Sequence, residues 1–161
     1  MSTEPYLLRL GSRLAGGLAT FDEARRGRHR DFIFSQQQPD GGFTGREGES
    51  DLYYTSFAVR SLVMLGGLSP GECASIGGYI QACRSQTLSV IDLLSWLYTG
   101  TIVQLAGGPD ALEGAEEGFV ESIAGALEST RTVDGGYART TEGAAGSTYH
   151  SFLVALASEL L

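Results

Sequence analysis

Apolar residues recur along this chain with helical spacing, in stretches bounded by Gly, Pro, Ser and Asp, and no segment alternates in the way of a half-buried strand. The pattern predicts seven helices, near 5–17, 21–37, 51–66, 70–85, 89–106, 110–129 and 147–161. Ser50 or Asp51, Ser69-Pro70 and Pro109-Asp110 are suited to helix starts, because their side chains cap free N–H groups or fix the first helical φ. Gly66-Gly67 and Gly107-Gly108 are suited to helix ends. The stretches near 51–66 and 89–106 are almost uncharged, whereas those near 21–37 and 110–129 carry charge on one face. That contrast predicts an inner layer of helices covered on both sides and an outer layer facing water.

The same pattern repeats. Gln36-Gln37-Gln38-Pro39-Asp40-Gly41-Gly42-Phe43 is answered by Thr130-Arg131-Thr132-Val133-Asp134-Gly135-Gly136-Tyr137, so that Asp-Gly-Gly-aromatic returns after 134 − 40 = 94 residues. Each loop feeds an apolar helix, starting at Asp51-Leu52-Tyr53-Tyr54-Thr55 and at Ser147-Thr148-Tyr149-His150-Ser151. Between them lies a third copy without the glycine loop, in which Tyr79-Ile80 and Gln86 stand for Phe32-Ile33 and Gln36. Repeats near 21–67, 70–108 and 110–161, each a pair of helices, predict stacked helical hairpins in one domain spanning 1–161.

Composition narrows the chemistry. A formal net charge of −8 argues against a nucleic-acid partner. All 11 basic residues are arginine, so the chain offers no lysine for a Schiff base or a phosphate clamp. Cys73 and Cys83 fall on one expected helix, about 15 Å apart at about 1.5 Å rise per residue, too far for a disulfide. Unpaired thiols, and a start at Ser2-Thr3-Glu4-Pro5 without the form of a signal peptide, suggest a cytoplasmic protein. Leu93 to Ala106 is too short to span a membrane, which needs about 20 residues, and is expected to be a helix buried within the protein.

The segment Phe32-Ile33 to Arg46, with its Gln-Gln-Gln-Pro-Asp-Gly-Gly-Phe-Thr-Gly-Arg loop, followed by Ser50-Asp51-Leu52-Tyr53-Tyr54-Thr55, resembles the repeat of the protein prenyltransferase β-subunit and squalene cyclase superfamily. The resemblance implies an all-α fold, the α/α toroid, with two concentric layers of helices around an apolar cavity that holds a prenyl chain. Seven helices would form little more than half of such a ring, and a partner chain or a second copy would then be expected to complete it or cover its edges.

Family prenyltransferases hold zinc through Asp-x-Cys at the start of one inner helix and His at the start of another. Asp51 and His150 occupy comparable positions here, but the third residue of that motif is Tyr53 and no cysteine matches. Zinc is therefore expected only if further ligands lie outside this chain. The Asp-x-Asp-Asp acid of the cyclases and the Asp-Asp-x-x-Asp of metal-dependent terpene synthases are both missing, and neither His29 nor His150 has a nucleophile context. Arg46 stands where the family places a diphosphate-binding arginine, and Tyr54 resembles a tyrosine that touches the same group. Glu47 and Glu49 lie beside Arg46, so an ion pair within the loop is the competing reading. Phe43, Tyr53, Tyr54, Trp96, Tyr98, Tyr149 and Phe152 would line a prenyl cavity or pack a core. Arg25-Arg26-Gly27-Arg28-His29-Arg30 reads as a solvated outer face or as a contact with anionic lipid or an acidic partner.

The expected function is that of a prenyltransferase-like protein, whose partner is an isoprenoid lipid or its diphosphate, bound by Arg46, Tyr53, Tyr54, Trp96, Tyr149 and His150. The alternative is a non-catalytic helical-repeat module that dimerises or completes its ring with a partner.

Overall fold

The computed structural model describes residues 4–161. It contains α1 (Tyr6–Leu18), α2 (Glu23–Phe34), α3 (Leu52–Met64), α4 (Pro70–Cys83), α5 (Val90–Leu105), α6 (Phe119–Glu128) and α7 (Thr148–Ser158), with no strand among the described residues. Two single β-bridges, Gln37 to Phe43 and Arg131 to Tyr137, pin the two glycine loops.

The helix starts follow from capping chemistry. Asp22, Asp51, Ser69, Ser89 and Ser147 each accept a backbone N–H of the first turn, and Ser69 with Glu72 forms a reciprocal capping box. The expected helix over 110–129 is a correction: residues 110–118 are turns, and the helix begins only at Phe119. Asp110 takes the N–H of Leu112 into a turn, and Gly114 and Gly118 adopt φ of 70° and 83°, which a right-handed helix excludes. The expected helix over 21–37 ends at Phe34, since Gln36 and Gln37 already belong to the glycine loop.

α5 is the centre of the molecule, flanked by α3 on one side and α7 on the other, with α4 behind it. The outward face of α3 buries Val59 and Leu62. The outward face of α5 carries Trp96, whose indole N–H donates to the Ile80 carbonyl of α4 at 2.7 Å and whose ring meets Phe119 of α6 edge-on. Odd-numbered α3, α5 and α7 thus form an inner layer, and α2, α4 and α6 an outer one.

Arg30 ties the layers together. From α2 it donates to the carbonyls of Leu62 and Gly67 at the end of α3, at 3.2 and 2.6 Å, and pairs with Glu72 of α4 at 3.1 Å. The Leu62 carbonyl also accepts the N–H groups of Leu65 and Gly67 where the helix ends, and the guanidinium adds several donors there at once.

α1 sits differently. It packs on α3, accepts the Tyr98 hydroxyl of α5 at the Leu7 carbonyl (2.9 Å), and its Tyr6 N–H reaches the Glu159 carboxylate after α7 (2.8 Å). Phe57, Arg60, Met64, Tyr98 and Ile102, which face it, lie on the side of α3 and α5 opposite to Val59, Leu62 and Trp96. α1 therefore lies across the inner face of the layer, and none of its residues is buried.

Candidate functional site

The backbones of the two glycine loops are hydrogen-bonded alike. Gln38 N–H donates to Gly42 O, Gly41 N–H to Gln38 O and Asp51 N–H to Phe43 O. Thr132 N–H, Gly135 N–H and Ser147 N–H donate to Gly136, Thr132 and Tyr137 in the same way. The Asp40 carboxylate accepts from Gly42 N–H at 2.9 Å and from the Ser50 hydroxyl at 2.6 Å. Asp134 accepts from Gly136 N–H, from Gly146 N–H and from the Thr132 hydroxyl. The loops then dock on the helices they feed, Phe43 N–H on the Thr55 hydroxyl (2.8 Å) and Tyr137 N–H on the Ser151 hydroxyl (3.0 Å). Gly41 has φ of 92°, and a methyl group there would meet the Ser75 carbonyl oxygen at 2.2 Å. Only glycine satisfies both constraints.

This frame sets the chain that follows. Arg46, exposed at the end of the first loop, lines an open depression with Gly45, Glu47 and Tyr54. The Tyr54 ring lies so close to Gly45 that a Cβ there would meet it at 2.9 Å. Arg46 makes no hydrogen bond or ion pair; the ion pairs of the described residues are Arg30–Glu72 and Arg131–Glu128. The competing expectation of a loop ion pair with Glu47 or Glu49 is thus not met.

Tyr54 opens onto a strip of inner-face aromatics. Tyr53 meets Tyr54 edge-on at 5.6 Å between centroids and Phe57 at 4.8 Å, and all three are well exposed, at 39%, 49% and 46%. One helical turn on, the Arg60 guanidinium stands 4.4 Å from the Phe57 ring centre and 5.2 Å from that of Tyr98. Burial pushes the Arg60 basicity down and the Tyr98 hydroxyl up, the latter opposed by the Arg60 charge. The sequence reading passed over Phe57 and Arg60. The helical spacing 53, 57, 60, 64 on α3 is the signal that would have placed them with Tyr53.

The remaining expected site residues lie elsewhere. Trp96 is 2% exposed on the outward face of α5, apart from Tyr53 and Tyr54, and Phe43 is buried in the core, 6.2 Å from Phe34. Tyr149 and His150 take on α7 the places that Tyr53 and Tyr54 take on α3, with α5 between the two pairs. Tyr149 is exposed, and His150 holds its Nδ1 3.1 Å from the Ser147 hydroxyl.

Zinc does not fit the described residues. The Asp51 carboxylate caps α3 by accepting Tyr54 N–H at 3.0 Å, His150 belongs to a different helix, and Cys73 and Cys83 are buried on α4. No three His, Cys, Asp or Glu side chains converge among the described residues. No helix among them is long and apolar enough to cross a membrane.

The family model for the prenyltransferase alpha-alpha toroid domain matches residues 6–158. The chain belongs to that family. The two-layer all-α arrangement fits that family. No curated protein and no solved structure gives a match.

Proposed function

We propose that this prenyltransferase-like domain binds an isoprenoid diphosphate, with the diphosphate between Arg46 and Tyr54 and the first isoprene units over Tyr53 and Phe57. The observation that carries the reading is Arg46, a guanidinium left without a protein partner beside the N-terminus of α3 and sharing one depression with Tyr54. A free guanidinium offers paired donors to phosphate oxygens, and the positive end of a helix adds to the attraction. The aromatic strip supports the apolar half of the same ligand.

Arg46→Ala tests the reading. It should weaken binding of farnesyl diphosphate by about 1.5–3 kcal/mol, the scale of a hydrogen bond to a charged group, and leave binding of farnesol nearly unchanged. Calorimetric titration separates the two, and equal losses for both ligands would mean that Arg46 only holds its loop.

A second reading, a helical-repeat module that pairs with another chain, is favoured by one feature. α7 packs on α5 and leaves Tyr149 and Phe152 more than half exposed. Large apolar groups gathered on one helix are a common mark of an interface.

A further inference from the structure

Between α1 and the inner face of α3 and α5 runs a second cavity of about 450 Å³, separate from the Arg46 depression. Its walls are apolar, formed by Leu7, Leu14, Met64, Ile102 and Leu105 among others, with Glu4 at the rim. Cavities of this size hold small molecules in general. One cation breaks the apolar lining. Arg60 gives its Nε–H to the Ser56 carbonyl of its own helix at 3.2 Å, and otherwise meets only the faces of Phe57 and Tyr98. No carboxylate of the described residues pairs with it. A half-buried guanidinium without a counter-ion keeps its Nη donors available to an anion in the groove.

We infer that the groove beneath α1 is a binding site for a single-chain amphiphile with an anionic head, its carboxylate or phosphate on Arg60 and its chain between α1 and the ends of α3 and α5. Charge complementarity chooses the head and the apolar walls choose the chain. α1 forms the removable wall: it is half-exposed throughout and is held by the Tyr98 and Glu159 hydrogen bonds together with its leucines. This groove shares Phe57 with the proposed isoprenoid path but does not include Arg46, so substitutions at Arg46 and at Arg60 distinguish the two readings.

The test is calorimetric titration with dodecanoate, dodecyl phosphate and dodecanol below their aggregation concentrations. Both anions should bind, at least about tenfold tighter than the alcohol, which is what one or more charge-assisted hydrogen bonds provide. Arg60→Gln should remove that advantage, Arg60→Lys should restore part of it, and Arg46→Ala should change nothing. Met64→Trp, which fills the groove, should abolish binding of all three. Circular dichroism of each variant checks that the helices remain. Dodecanoate and dodecanol binding alike, full binding by folded Arg60→Gln or by Met64→Trp, or a loss in Arg46→Ala as large as that in Arg60→Gln would each overturn the assignment.

Discussion

At the scale of single residues, Asp40 and Asp134 show how little chemistry is needed to aim a site. Each carboxylate gathers a glycine N–H and a hydroxyl, and the loop around it can then leave in only one direction. In the first loop that direction carries Arg46 to the start of α3. The Asp134 carboxyl is held below its ordinary value near 3.8, chiefly by the Thr132 hydroxyl and then by the amides of Gly146 and Gly136. A carboxyl with a depressed folded-state pKa contributes stability that is complete above the ordinary value and is lost as the pH falls through the lower one. Asp134→Asn should therefore melt below the wild type by a constant margin from about pH 7 to about pH 5. The margin should shrink as the pH drops below the ordinary carboxylate range, about 3.9. Thermal melts across that range check this, and a margin that persists at the acid end would mean that the charge of Asp134 is irrelevant to its loop.

At the scale of elements, most of the architecture was legible in the sequence. Capping residues and glycine stops are local signals, and the ends of α3, α4, α5 and α7 fall within a few residues of where those signals lie. The start of α6 was misjudged because apolar residues at helical spacing hid the effect of Gly114 and Gly118, whose positive φ depends on how the 110–118 turn packs. The position of α1 was not legible either. Its amphipathic pattern fits any apolar surface, and what fixes it is contact with Tyr98 and Glu159, distant in sequence. Arg30 was read as one charge in a basic run, yet it ties α2 to the end of α3 and to α4. Arg30→Ala should cost about 2 kcal/mol in urea denaturation, since it takes a charged donor from two carbonyls and a carboxylate together. Arg30→Lys should recover less than half, because a single ammonium cannot serve all three partners. Full recovery by lysine would reduce the role of Arg30 to charge alone.

At the scale of the whole molecule, the glycine loop disclosed the family, while the layout of the candidate site was legible only in part. Arg46 and Tyr54 were recognisable because they sit at fixed distances from the repeated loop, and the structure brings them to one depression. Trp96 was grouped with them because composition cannot tell the two faces of an apolar helix apart, and only the Ile80 carbonyl shows that it points outward. If the exposed Tyr149 and Phe152 of α7 mark a contact with a second copy, light scattering at micromolar concentration should give twice the chain mass, and Phe152→Glu should return it to that of one chain. A monomer before the substitution would set the pairing reading aside. The central claim, an isoprenoid diphosphate on the inner face, is tested most directly by a crystal structure with a non-hydrolysable farnesyl diphosphate analogue. The account predicts its phosphates within hydrogen-bond distance of the Arg46 guanidinium and its chain against Tyr53 and Phe57. Phosphates bound elsewhere, with the Arg46 depression empty, would contradict it.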